Sequence, residues 1–230
     1  TQPKDLGTTM HPLVFPGGNV ANPNVSKCAG NAFDDIDIKG KIVLCERGLV
    51  SRTDKGVFVK AAGGVGMILM NDAVNAYHTE ADGHVLPASH VSFADGNKVK
   101  AYIKSTVNPT ANILFNGVVT GSPRAPVVAA FSSRGPNKAC PAVLKPDIIG
   151  PGVNIVAASP VHVEPASFGN LTGPAFRMAS GTSMSAPHLS GIAALVKSYH
   201  PDWSPAAIKS AIMTTASVTD NTGSPIVDER

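Results

Sequence analysis

The chain has 230 residues, 43% hydrophobic and 15% charged, which suits one large or two modest globular domains and excludes a disordered segment. Its formal charge of +3 comes from lysines and arginines scattered along the chain, so electrostatics give no case for nucleic acid or a membrane surface as partner. No apolar run approaches the roughly 20 residues of a bilayer span, and 22 glycines with 19 prolines forecast many tight turns.

The opening Thr1-Gln2-Pro3-Lys4-Asp5 is neither a signal peptide nor a natural start, so the chain is expected to be processed or cut from something longer. From about Pro12 to Gly117 the pattern is that of a small α/β module. Lys41-Ile42-Val43-Leu44-Cys45 is an apolar run of buried-strand length, Lys55 to Ala62 can form a helix that Gly63-Gly64 ends, and Val65 to Met70 is a second buried strand. Strand, helix and strand within about 30 residues make a parallel crossover unit. A second helix is expected over Gly96 to Ser105, and a strand, Ala111-Asn112-Ile113-Leu114-Phe115, within Thr110 to Val119.

Gly121-Ser122-Pro123-Arg124-Ala125-Pro126 is a turn-rich stretch and a plausible boundary. Beyond it small residues prevail. Val127 to Phe131 and Val153 to Ala158 are strand candidates, followed by helices over about Ser183 to Ser198 and Pro205 to Ala216. The second helix carries a start signal, Ser204 as N-cap with Pro205 in the first turn.

Three cysteines allow at most one internal disulfide. Cys28 and Cys45 could bridge, closing a loop of about 17 residues worth roughly 3 kcal/mol, with Cys140 left over; counting alone leaves three reduced thiols equally open. The sequons Asn24-Val25-Ser26 and Asn170-Leu171-Thr172 tilt the balance towards secretion.

The stretch that carries chemistry is Gly181-Thr182-Ser183-Met184-Ser185-Ala186-Pro187-His188. Glycine and small residues precede a serine that opens an apolar helix, where free backbone N–H groups and the positive dipole end converge. An oxyanion forming beside the hydroxyl would be stabilised there. The plain alternative is that Thr182 or Ser183 serves only as an N-cap.

The octapeptide resembles the nucleophile motif of the subtilase family, G-T-S-M-[AS]-x-P-H, and the likeness continues through Leu189-Ser190-Gly191 and His200 to Lys209. Phe131-Ser132-Ser133-Arg134-Gly135-Pro136-Asn137 and Lys145 to Val153 look like two further blocks of the family. Lys39 to Cys45, Ala61 to Ile68 and His84 to Ala88 look like a protease-associated domain, which plant members carry inserted between their catalytic histidine and serine.

The resemblance implies an α/β chain in two parts. Residues 1–120 would be the protease-associated domain, mixed α/β and barrel-like, and 121–230 the C-terminal part of a subtilisin-like parallel-sheet catalytic domain. It implies Ser183 as nucleophile, a substrate cleft bordered by Thr182, Ser183 and Met184, and Arg177 to Ser180 on the leaving-group side. A Cys28–Cys45 disulfide, glycans on Asn24 and Asn170 and an extracellular setting (apoplast or cell wall in a plant) also follow.

Only the serine of the family's machinery carries over; no H-G-T or D-T-G tripeptide in suitable surroundings occurs. His188 lies about 140° around a helix from Ser183 and should point away from it, and Asp147 reads as a structural contact. His84 and His90 take a surface or interdomain role by default, while His11, His78, His162 and His200 have no acidic or nucleophilic setting. No cofactor is implied, and neither H-x-x-x-H nor paired cysteines at ligand spacing suggest a metal.

The expected function is therefore part of a secreted serine endopeptidase acting on proteins or peptides, its aspartate, histidine and oxyanion asparagine lying outside this chain. A companion N-terminal fragment or another chain is expected to cover the sheet left exposed. The alternative is a non-catalytic binding fragment that uses the protease-associated domain. A freestanding hydrolase with a new triad is the remote third reading.

Overall fold

Alternation of apolar side chains along two strands organises the first part of the chain. The structure, a computed structural model, describes residues 4–19, 22–117, 124–159 and 175–229. They fall into two units, one of residues 1–120 with 158–177 and one of 121–157 with 178–230. The turn at 121–123, the end of the expected strand at 118–119, His162 and the sequon at Asn170 lie outside the described residues.

In the first unit five strands, β1 (His11–Val14), β2 (Ile42–Glu46), β3 (Gly66–Met70), β4 (Ala88–Val91) and β5 (Thr110–Ala111), form one sheet in the order β4-β3-β2-β1-β5. β1 to β4 are parallel, with Leu13 beside Ile42, Val43 beside Met67 and Leu69 beside His90; β5 runs antiparallel to β1. Val43 and Cys45 of β2 and Met67 and Leu69 of β3 pack on one face with Ile38, Leu86 and Val59 of α2 (Arg52–Ala61). Ile42, Leu44, Ile68 and Met70 pack on the other with Leu13, Ile113 and Val99 and Ile103 of α3 (Phe93–Ser105). Both faces of the parallel sheet are thereby covered, as such sheets require.

Local chemistry sets the helix ends. The Ser51 hydroxyl accepts from the Asp54 N–H at 3.1 Å to start α2. At its other end Gly63, at φ +85°, bends the chain so that its N–H reaches Lys60 O and that of Gly64 reaches Val59 O. At the start of α3 the Ser92 hydroxyl accepts from the Asp95 N–H at 3.0 Å and donates to the Asp95 carboxylate at 2.8 Å. Both helices start about three residues earlier than the apolar pattern alone suggests.

Two sheet expectations need correction. The unit is an open sheet with a helix on each face, not barrel-like, because the edge strands β4 and β5 pair with one neighbour each. At the β5 edge the Tyr102 hydroxyl accepts from Thr110 N–H at 3.1 Å and donates to Thr110 C=O at 3.2 Å. The expected strand Ala111–Phe115 shortens to Thr110–Ala111: beyond it Asn112 Oδ1 takes the Ile113 N–H, Leu6 N–H reaches Ile113 O, and Asp5 takes the Phe115 N–H.

Cys28 and Cys45 are joined by a disulfide and fully buried, tying the segment after the short α1 (Pro23–Ser26) to β2; Cys140 is free and exposed. Beside this bond lies Lys55 of α2, 0% exposed. Its ammonium donates to Gly48 O at 2.7 Å and to Lys27 O, so one buried cation clamps two loops. Burial above all, with repulsion from Lys27 and against attraction by Glu46, lowers its pKa from 10.5 to about 8.

At the C-terminal ends of β2 to β4 a second polar cluster is built. Arg47 pairs with Glu80 at 3.1 Å, while Arg52 pairs with Glu80 and with Asp82 at 2.5 Å each. His90, expected at a surface or between domains, belongs to this cluster: its Nδ1 accepts from the Glu80 N–H at 2.9 Å, leaving Nε2 to donate to Asn71 Oδ1 at 2.8 Å. Burial first of all holds its pKa down at about 4, so the ring stays neutral. His78, read as lacking an acidic setting, is buried with Nε2 3.6 Å from Glu80. Burial works to raise the Glu80 pKa, but His78, Arg52 and Arg47 outweigh it and hold the carboxyl below its ordinary range.

β6 (Ile155–Ser159) and β7 (Ala175–Ala179) pair as a two-stranded ribbon. The second unit carries two helices, α4 (Thr182–Tyr199) and α5 (Pro205–Thr214). The Ser204 hydroxyl accepts from the Ala207 N–H at 3.2 Å at the start of α5. The expected strand Val127–Phe131 is reduced to a bridge between Val128 and Asp228. A strand needs a partner along its length, and here only the 227–229 segment supplies one, through Val128 N–H to Val227 O and Glu229 N–H to Val128 O. Among the described residues, then, the Val127–Phe131 segment joins no sheet. The C-terminal segment of the unit is held instead by Arg124–Asp220 and Arg134–Asp228 ion pairs.

Two stability outcomes follow from the first unit. Between pH 8 and 10.5 the unfolded chain keeps the Lys55 proton that the folded chain releases, so unfolding free energy rises with pH and the contribution is lost again below pH 8. Denaturant titrations of the full chain should show a gain of about 2–3 kcal/mol across that window, flattened in Lys55→Met. Separately, a Cβ at Gly96 of α3 would overlap Met70 Cβ of β3. Gly96→Ala should therefore lower stability by about 1–3 kcal/mol, in spite of alanine's better helix propensity.

Candidate active site

Ser183 is the second residue of α4 and is exposed to solvent; Thr182 before it is exposed and Met184 after it is half-buried. The N–H groups of Thr182 and Ser183 have no acceptor within the helix, as at every helix start. That of Met184 already reaches Gly181 O at 3.0 Å. The first turn thus presents a hydroxyl next to backbone donors and the positive end of an 18-residue helix.

Gly181 makes this geometry possible. It caps the helix at φ +154°, ψ +164°, a conformation open essentially to glycine alone. Its N–H donates to Gly152 O at 2.8 Å. A Cβ at Gly152 would lie 2.9 Å from Gly181 O, so this glycine is what lets the two backbones touch.

Two side chains complete the lacing between the segment 150–154 and the helix start. Ser185 Oγ donates to Gly150 O at 2.9 Å, and the Asn154 N–H donates to Ser180 Oγ at 2.9 Å. From the sequence, Ser180 falls only within the leaving-group stretch and Ser185 has no role, although the Gly150-Pro151-Gly152 spelling signals a close backbone approach.

Two further titratable candidates, His188 and Asp147, are engaged in other contacts. His188 Nδ1 donates to Met184 O at 2.8 Å, a bond back to the preceding turn. Asp147 pairs with Lys145 and, at 3.2 Å, with Lys209, which hold its carboxyl below the ordinary range. Among the described residues no group of three or more His, Cys, Asp or Glu side chains could hold a metal ion.

Behind the helix, in the same unit, runs an apolar groove of about 1400 Å³ whose lining includes Val127, Ile149, Leu189, Ile192, Leu195 and Tyr199. Thr182 and Ser185 line it and Ser183 does not. No residue of α4 is buried; Ile192, Leu195 and Tyr199 are 45%, 65% and 83% exposed.

Comparison with known proteins gives these features a family. A family model described as the subtilase family matches residues 52–230. The subtilisin-like protease SBT1.6 of Arabidopsis thaliana is 48% identical over 225 residues, covering 97% of this chain and 29% of that protein. SBT1.7 of the same plant is 49% identical over 224 residues, with 97% and 30% covered. Among solved structures, the psychrophilic subtilisin-like protease Apa1 from an Antarctic Pseudoalteromonas aligns over 96% of this chain and 39% of that one, at 19% identity and a TM-score of 0.33. The chain spans less than a third of the length of the curated relatives it matches. With the matched stretch running through the Ser183 helix and its supporting loop, the chain belongs to the subtilase family.

Proposed function

We propose that this chain is the nucleophile-bearing part of a serine endopeptidase that works outside the cell. Residues 1–120 form its protease-associated domain and 121–230 the C-terminal part of its catalytic domain. The observation that carries the reading is the exposed Ser183 hydroxyl in the first turn of α4, directly after Gly181. The buried Cys28–Cys45 disulfide supports an oxidising compartment. Asn24, and Asn170 beyond the described residues, are the glycan acceptors of such a protein.

In the proposed reaction Ser183 Oγ attacks the carbonyl carbon of a peptide bond while a base takes its proton. The negative charge that develops on the carbonyl oxygen faces the Ser183 N–H and the helix start. Collapse breaks the C–N bond, the amine leaves with the proton, and water then hydrolyses the acyl-enzyme. Met184 borders the leaving-group side. The histidine, the aspartate that orients it and the oxyanion asparagine lie on segments outside this chain. The same segments cover the apolar groove behind α4, whose side chains have the character of a core with one wall absent.

A second reading has its own observation. His188, the histidine nearest to Ser183 in sequence, has its ring bonded to a backbone carbonyl. On that ground the chain offers Ser183 no base from His188, and the alternative is a non-catalytic fragment that uses its first unit to contact proteins.

One set of measurements separates the two. A fluorophosphonate should label Ser183 in the full-length polypeptide, and Ser183→Ala should abolish the label; modification elsewhere would sink the assignment. The 230-residue chain alone should hydrolyse peptides about 10⁴-fold or more slowly than the full-length protein. Protease-like rates from the chain alone would overturn the placement of the base on another segment.

A further inference from the structure

Helix serines commonly return their hydroxyl to the carbonyl one turn earlier, as Ser190 does to Ala186 O at 3.0 Å in α4. Ser185, one turn nearer the helix start, does not. Its Oγ reaches across to Gly150 O at 2.9 Å, on a loop 35 residues away in sequence. The approach is close at the loop side: a Cβ at Gly150 would meet Ser185 Oγ at 3.1 Å and Leu189 Cγ at 3.3 Å. Two residues further along, Gly152 O takes the Gly181 N–H at 2.8 Å, and Asn154 N–H holds Ser180 Oγ at 2.9 Å. The loop is thus bonded to residues 180, 181 and 185, on both sides of Ser183.

Resting on the reading of Ser183 as a nucleophile, we propose that Ser185 is a positioning residue for it. The Ser185 hydroxyl fixes the 150–154 loop against the first turn of α4. The loop in turn holds Gly181 in its glycine-only conformation, which sets the directions of the Ser183 hydroxyl and N–H. Ser185 acts through the loop and touches no reacting atom. Alanine at 185 would preserve the helix but release the loop, and small displacements of a nucleophile are costly to the chemical step, since misplacement by about 1 Å can cost on the order of 100-fold.

The test uses the full-length polypeptide, with active sites counted by fluorophosphonate titration so that only folded molecules enter kcat. Ser185→Ala should lower kcat about tenfold and slow labelling of Ser183 about equally, with KM within about twofold. Ser185→Thr, which keeps the hydroxyl, should restore kcat to within about threefold, and Ser190→Ala should leave it unchanged. Ser185→Cys keeps the size but donates weakly; it should fall with alanine, and it decides the matter if Ser185→Ala does not fold. Parent-like kcat in Ser185→Ala or Ser185→Cys, whatever happens to thermal stability, overturns the proposal while leaving Ser183 as nucleophile. Label on another residue overturns the underlying reading, and this proposal with it.

Discussion

A parallel strand carries apolar side chains on both faces and hydrogen-bonding groups on both edges, so it is stable only where all four sides are met. The first unit satisfies that demand within its own residues. Ile42 and Leu44 face α3 while Val43 and Cys45 face α2, and all four are 0% exposed. At one edge Tyr102 takes up both backbone groups of Thr110. The second unit does not satisfy it. Val127 to Phe131 has the composition of a strand, yet among the described residues it is bridged only by the 227–229 segment, and α4 has no buried residue. One rule accounts for the closed core of the first unit and the open groove of the second.

The same rule gives the buried polar groups of the first unit their meaning. Loops at the C-terminal ends of parallel strands must return over the sheet with their carbonyls satisfied. Lys55 satisfies one of them, Gly48 O after β2, together with Lys27 O at the end of α1, at the cost of a desolvated ammonium. Arg47, Arg52 and Glu80 brace the neighbouring loop, and a neutral His90 joins it to Asn71. Removing one member would strand its partners in a low-dielectric setting, which is why such clusters hold geometry better than they add stability.

How much of this was legible in the sequence depended on how local the cause was. Ile42 to Cys45 and Val65 to Met70 declared themselves by apolar run length, and Gly63-Gly64 and Ser204-Pro205 by capping chemistry. β1 and β4 did not, because His11-Pro12 and Ser89-His90 put polar or ring-closed residues into strands that hold their place by pairing with β2 and β3. Ala111 to Phe115 looked like a strand but lost its hydrogen bonds to Asn112 and to the N-terminal segment. At the candidate site, the serine could be read from its motif. Its support could not, since the bonds from Ser185 to Gly150 and from Asn154 to Ser180 join residues 35 and 26 apart.

What the helix start can and cannot do for Ser183 follows from magnitudes. Charge stabilisation at a helix N-terminus is typically about 0.3–1 kcal/mol at the surface and up to about 2 kcal/mol when partly buried. Losing a triad member costs on the order of 10⁴-fold, or more than about 5 kcal/mol of transition-state stabilisation. The dipole and the Ser183 N–H can therefore favour an oxyanion once it forms, but they cannot replace the group that removes the hydroxyl proton. Under the proposed reading, that shortfall and the groove behind α4 point the same way, because a segment packed on the apolar face would also bring the base. Completing the core and supplying the base would then be a single folding event, in which burial of Ile192, Leu195 and Tyr199, now exposed, would stabilise the arrangement in which the proposed nucleophile Ser183 could react.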